Sequence, residues 1–337
     1  MATKPAHEVW RHVAFLSNGA YINPSLSHSP SIPEQRAEST YSMTTASFVH
    51  IDTSSYEGKP WGKVDGGGTN FGEKRHERQV TDIRGREHEF TTDNSGFQVL
   101  KSPAKERLFT DDKAVREGYY QEVERLLRDN IPGIKKIVIF DHTIRRRVKD
   151  APRQPVQQVH VDQTAGAAEA RVRRHLPENE VANLLKGRYQ IVNVWRPIEN
   201  PASDHPLAVI DWRSTSPDDF IPSDLLYPKR ADSTDADDRG KEALPVKIDT
   251  KSTEGYEVKG ETMAVAPNER HKFYYQSNMT PEEVLLLKCF DSYGEGRPNG
   301  QKGLAVGTPH TAFADPKTPP DAPGRQSIEV RCLIFYD

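Results

Sequence analysis

A chain of 337 residues has room for one large or two modest domains and for a sizeable buried core. Its 46 basic against 49 acidic residues leave a formal charge of -3, so no electrostatic footprint points to nucleic acid or an anionic membrane, and a small molecule is the default partner. The two cysteines, Cys289 and Cys332, are too few for a disulfide framework and stand in no metal-ligand spacing, which reads as a cytoplasmic protein with reduced thiols. Nothing in the composition specifies an oligomeric state.

Residues 1–42 hold one short apolar patch, Val13 to Leu16, and a Ser/Pro-rich run from Ser25 to Pro33. The patch is too short for a secretory signal or a membrane span, and the region reads as a mobile N-terminal tail. A single domain is expected over 43–337. Thr44 to Asp52 alternates loosely as a strand, and Gly58 to Gly72 is a loop whose run Gly66-Gly67-Gly68 lacks the Lys-Ser/Thr ending of a phosphate-binding loop.

Asp111 to Asn130 is expected to be a helix, because Val115, Tyr119, Val123, Leu126 and Leu127 fall at helical spacing behind a capping aspartate. Lys136 to Phe140 is β-branched enough for a buried strand, and the polar run Asp141 to Arg147 at its end is placed to line a pocket. A strand over Val156 to Asp162, helices over Ala167 to His175 and Glu178 to Lys186, and strands over Tyr189 to Trp195 and Pro206 to Trp212 follow. The charged, apolar-poor stretch 229–261 reads as a surface insertion. Thr280-Pro281-Glu282-Glu283 has the pattern of a capping box that starts a short turn or helix, and Ser327 to Tyr336 alternates as a closing strand. Short strands, turns rich in Pro and Gly, and few helices indicate a mainly β, double-sheet fold with flanking helices.

On a strand, side chains two apart share a face, so His160 and Asp162 project together. Two histidines and one carboxylate on an Fe(II) ion leave its remaining positions to a cosubstrate and dioxygen. The third donor comes from His175, His205, His271 or His310, and His310 is favoured because Arg325 and Ser327 follow it across a loop rich in proline. That pair is suited to 2-oxoglutarate, whose far carboxylate needs a planar cation and a hydroxyl. Arg331 shares the face, roughly 20 Å further along, and is an alternative anchor. On the strand between, Tyr189, Asn193 and Trp195 share one face and Arg196 takes the other; all four are candidate substrate contacts. The cations Arg145, Arg146, Arg196 and Lys288 favour an amino acid or other anionic metabolite as substrate.

The segments Asp82 to Glu87, Phe90 to Asp93, Gly96-Phe97, Phe140 to Arg146, Tyr189 to Pro197, His310 to Phe313 and Ser327 to Arg331 carry a resemblance across roughly residues 44 to 337. The chain resembles the mainly fungal family that includes the aspergillic-acid hydroxylase and a gibberellin desaturase, related to the bacterial cephamycin protein CmcJ. The resemblance implies a non-haem Fe(II)/2-oxoglutarate-dependent oxygenase of specialised metabolism on a double-stranded β-helix, the jelly-roll or cupin-like core. It makes His160, Asp162 and His310 the metal ligands and matches Arg325 and Ser327 to the cosubstrate motif. It leaves open hydroxylation, desaturation and oxidative cyclisation, including aziridine formation on an amino acid. Two rival readings are a small-molecule methyltransferase, although no Gly-x-Gly-x-x-Gly follows a strand, and a non-catalytic cupin-like binding protein.

Overall fold

The computed structural model describes residues 42–64, 67–147, 155–229 and 249–336. The expected N-terminal tail, all but Ser42, therefore lies outside the described residues, as does most of the expected insertion. In chain order the strands begin with β1 (Met43–Asp52), β2 (Trp61–Lys63), β3 (Gly72–Asp82) and β4 (Phe97–Lys101). A helix follows: α1 (Asp112–Ala114) runs through a π turn (Val115–Tyr119) into α2 (Tyr120–Asn130), capped by the Asp111 side chain on the Lys113 N–H. Next come β5 (Ile134–Arg146), β6 (His160–Val161), α3 (Ala165–His175), α4 (Glu178–Leu184), β7 (Tyr189–Pro197) and β8 (Leu207–Ile210). The chain closes with β9 (Phe220–Pro228), β10 (Tyr256–Val265), β11 (Phe273–Tyr275), β12 (Glu283–Asp291), β13 (His310–Ala312) and β14 (Gln326–Tyr336). Among the described residues no helix is long and apolar enough to cross a membrane.

Two sheets form a jelly-roll core. The larger runs β1-β3-β11-β8-β13-β6-β10-β9-β2 and the smaller β4-β12-β7-β14-β5. Alternation along β7 divides the core in two. Val192 and Val194 pack with Val123, Leu127 and Ile334 beneath α2, whereas Ile191 and Trp195 pack with Leu287, Val209 and Leu333 between the sheets. The space between the sheets is where two-sided strands bring polar side chains from different parts of the chain together.

Several elements differ from expectation for tertiary reasons. The strand foreseen over Val156 to Asp162 shrinks to two residues, because β6 finds partners only at Met263 and Ala264 on one side and at His310 on the other. Tyr256 to Glu261, the end of the expected insertion, belongs to β10. The Thr280 box closes a turn, with the Thr280 N–H donating to the Glu283 carboxylate at 2.7 Å, before Val284 to Leu287 enter the sheet centre.

Lys288, considered as a substrate cation, is fully buried and bonded to Asp93 and Asp291 at 2.8 Å each. Arg188 completes the cluster at 2.7 Å from Asp291. Burial raises the Asp291 carboxyl, but Arg188 and Lys288 outweigh it and hold the group below its ordinary range. Removing one partner strands a buried charge, so Lys288→Met is expected to lower unfolding free energy in urea titrations by about 3–5 kcal/mol. A loss below about 1 kcal/mol would show that the cluster is not structural.

Candidate metal centre and cosubstrate cavity

His160 and His310 are direct cross-strand partners on β6 and β13, with ring centroids 4.5 Å apart. The chain bends after Val161 and brings Asp162 to the same point: its Oδ1 is 3.4 Å from His160 Nε2 and 3.8 Å from His310 Nε2. The three donor atoms lie within 4.8 Å of one another, and among the described residues no other group of three such side chains does so. The same local device orients both rings. His160 Nδ1 donates to the Gln158 carbonyl at 2.8 Å, and His310 Nδ1 donates to the Thr308 carbonyl at 2.9 Å. Each Nε2 is then turned toward the common point, as outer hydrogen bonds do for metal-binding imidazoles.

Thr308 is seated by a glycine. Gly96 has φ +91°, and a Cβ there would lie 2.5 Å from Thr308 Oγ1, which donates to the Gly96 carbonyl. Any side chain at 96 would therefore push against the residue that orients His310.

Asn193 donates through Nδ2 to Asp162 Oδ2 at 2.6 Å, and Arg331 Nε stands 3.7 Å from the same oxygen. Burial alone would raise the Asp162 carboxyl; the His160 hydrogen bond and the charges of His310 and Arg331 hold it well below the usual carboxylate range. Burial and the neighbouring His160 lower the pKa of His310. Anchoring one carboxylate oxygen leaves the other facing the two imidazoles, where a metal ion would be held, so Asn193→Leu is expected to weaken Co(II) binding roughly 10- to 100-fold. Unchanged Co(II) affinity in a folded variant would remove Asn193 from this role.

The cavity beside the centre is lined by Thr143, Arg145, Trp195, Arg325, Ser327 and Arg331 together with the three donors. The two candidate anchors differ in one decisive respect. Arg331 is committed, to Asp141 at 3.0 Å, Thr143 at 2.9 Å and Glu329 at 2.6 Å. Arg325 is 3 % exposed, donates only Nη1 to the His205 carbonyl at 2.7 Å, and has a buried Nε with no hydrogen-bond partner. Among the described residues no carboxylate pairs with its guanidinium, which lies 5.6 Å from the Trp195 ring. Burial, reinforced by Arg145, pushes its pKa down to about 9. A buried guanidinium without a counter-ion can take an anion through a charge-assisted, two-point hydrogen bond.

The other candidates separate. Trp195 lines the cavity and Asn193 reaches the centre, but Tyr189 packs in the core against Phe290 and Phe335, with centroids at 5.4 and 6.3 Å. Arg196 points to the opposite side of β7, over the Tyr119 ring at 5.2 Å, because neighbouring strand residues alternate faces. Neither contacts this cavity. Arg146 bonds Glu199 at 2.7 Å, His271 bonds Asp219 at 2.9 Å, and His205 bonds Asp204 at 2.7 Å, so these are engaged elsewhere. Glu329 escaped notice in the sequence; the alternation Ser327, Glu329, Arg331 was the signal that could have found it.

A family model described as an oxidoreductase/YMDC permease-like domain matches residues 52–335. The chain is 34% identical over 274 residues to the hydroxylase/desaturase efuI of Hormonema carpetanum, covering 77% of this chain and 83% of that protein. It is 30% identical over 273 residues to the Fe(II)/2-oxoglutarate-dependent dioxygenase nvfI of Aspergillus novofumigatus, covering 79% and 85%. Among solved structures, the iron and alpha-ketoglutarate-dependent endoperoxidase NvfI aligns with a TM-score of 0.68 at 26% identity, over 87% of this chain and 98% of that one. Shared sequence, a shared jelly-roll and a two-histidine, one-carboxylate donor set together show that the chain belongs to the fungal hydroxylase/desaturase family of non-haem Fe(II)/2-oxoglutarate-dependent oxygenases.

Proposed function

We propose that residues 43–337 act as one oxygenase domain in which His160, Asp162 and His310 hold Fe(II), and Arg325 with Ser327 receives the far carboxylate of 2-oxoglutarate. The observation that carries this reading is Arg325: a buried guanidinium with no carboxylate partner among the described residues, in the same cavity as the donor set. Family membership sets aside the methyltransferase and the non-catalytic binding protein. When bound, Fe(II), 2-oxoglutarate and dioxygen supply an oxidant that takes hydrogen from an unactivated C–H bond, with succinate and carbon dioxide as coproducts.

The protein's part is orientation and exclusion of water. The Gln158 and Thr308 carbonyls hold both Nδ1 protons, so each Nε2 is the donor. Asn193 fixes Asp162 by one oxygen and frees the other. Trp195, 3 % exposed, walls the Arg325 guanidinium and keeps water from solvating it, which strengthens its hold on an anion. Positioning the reacting C–H bond then selects among hydroxylation, desaturation and oxidative cyclisation.

The substrate is a small molecule of specialised metabolism, and Arg145 in the cavity lining supports an anionic one such as an amino acid. Two buried free thiols, Cys289 and Cys332, suit the reducing cytoplasm. Anaerobic addition of Fe(II) and 2-oxoglutarate is expected to produce a weak visible charge-transfer band. Its absence would sink the reading of the site. Candidate amino acids and terpenoids are then screened by mass for gain of one oxygen or loss of two hydrogens; turnover confined to neutral terpenoids would overturn the anionic preference.

A further inference from the structure

The residue that alternation removes from the metal cavity has a cavity of its own. Arg196 is 2 % exposed and lines a space of about 460 Å³ on the α2 side of the smaller sheet, between the segment 104–109 and the turn at Pro281. Its guanidinium lies 5.2 Å from the Tyr119 ring and donates Nη1 to the Pro281 carbonyl at 3.2 Å. Its Nε is buried without a hydrogen-bond partner, and among the described residues no carboxylate pairs with it.

Carboxylates are close by, yet each is committed elsewhere. Glu106 accepts the Leu108 and Phe109 N–H groups at 3.0 and 2.8 Å, Glu282 pairs with Arg107 at 2.9 Å, and Glu199 pairs with Arg146 at 2.7 Å. The cation is therefore the unsatisfied charge of this cavity. Burying a guanidinium without a counter-ion is costly, and the ring and hydroxyl of Tyr119 with one carbonyl, all uncharged, return only part of that cost. The remaining lining includes Leu108, 57 % exposed, with Phe109, Pro201 and Pro281. An isolated buried cation beside apolar walls matches a ligand with one anionic end and an apolar body.

We propose that this cavity is a second, non-catalytic site for a small apolar carboxylate, its carboxylate on Arg196 and its hydrocarbon body along Leu108, Pro201 and Pro281. β7 separates the two sites: Asn193 and Trp195 serve the metal cavity, and Arg196 faces away from it. The proposal does not depend on which residues hold iron.

The test titrates octanoate into the full-length protein by calorimetry, with 2-oxoglutarate in excess to occupy the Arg325 cavity and octanol as the uncharged comparison. Octanoate is expected to bind saturably, and octanol at least about tenfold more weakly. Arg196→Gln is expected to weaken octanoate at least about tenfold by removing the charged end of the site. Leu108→Glu is expected to weaken it about threefold or more, by placing a like charge in the lining without touching the buried guanidinium. Leu108 is exposed enough to tolerate the change, so the test stands even if Arg196→Gln fails to fold. Absence of saturable octanoate binding, equal binding of octanol, or a site that survives Leu108→Glu but disappears in Arg325→Met would each overturn the proposal.

Discussion

Replacing His310 with alanine is expected to weaken Fe(II) binding by at least about a hundredfold, beyond the effect typical of an outer partner. Succinate formation from 2-oxoglutarate should fall to background with it. His310 sits on a three-residue strand held between β6 and β8, 4 % exposed, with its Nε2 3.8 Å from Asp162. Without it, the facing pair His160 and Asp162 is left as a two-donor site. The fold also loses something: the Thr308 carbonyl loses the Nδ1 donor, at about 1–3 kcal/mol, and the buried ring leaves a cavity. Anaerobic equilibrium dialysis with Fe(II), read beside a thermal melt, separates the two effects. A folded His310→Ala protein that retained metal affinity and turnover would remove this triad from the chemistry.

How much of this was legible in the sequence depends on whether the deciding interaction is local. The strand alternation of β7 predicted its two faces, because side-chain direction on a strand has a period of two regardless of what the strand meets. That rule alone separates Asn193 and Trp195 from Arg196. The helix at α1 and α2 was legible from its apolar spacing, although its π turn was not. His160 and His310 were found by type and order, but their pairing opposite one another is a matter of register between strands far apart in sequence. The same holds for the choice between two arginines. Nothing within Arg325 to Arg331 reveals that Asp141 and Thr143, on the neighbouring strand, join Glu329 in saturating Arg331, while among the described residues no carboxylate pairs with Arg325. Tyr189 lies away from the metal cavity for a related reason: an aromatic beside a polar residue suits a pocket wall and a core equally, and the positions of Phe290 and Phe335 place this one in the core.

Arg325→Met is expected to move cosubstrate affinity and protein stability in opposite directions. In the absence of cosubstrate the guanidinium is a buried charge with no carboxylate partner among the described residues, lowered to a pKa of about 9 by burial and by Arg145. Replacing such a charge with an apolar side chain of similar length removes a desolvation penalty. The ligand-free variant is therefore expected to unfold at the same temperature as the parent protein or higher, despite losing the bond to the His205 carbonyl. Binding reverses the sign. A carboxylate entering beside Ser327 would complete a desolvated, charge-assisted pair, and truncating one member of such a pair costs about 2–5 kcal/mol, roughly a 30- to 4,000-fold loss in affinity. The KM for 2-oxoglutarate should rise accordingly, while Fe(II) affinity, which the proposal assigns to residues on β6 and β13 and in the bend after β6, stays within about threefold. Arg325→Lys keeps the charge but not the planar fork, so it should recover part of the affinity and none of the bidentate geometry. A variant that lost stability and cosubstrate affinity together would indicate that Arg325 is a structural cation. Retention of a normal 2-oxoglutarate KM in Arg325→Met, with loss in an Arg331 variant, would transfer the anchor to Arg331 and with it the orientation of the cosubstrate in the cavity.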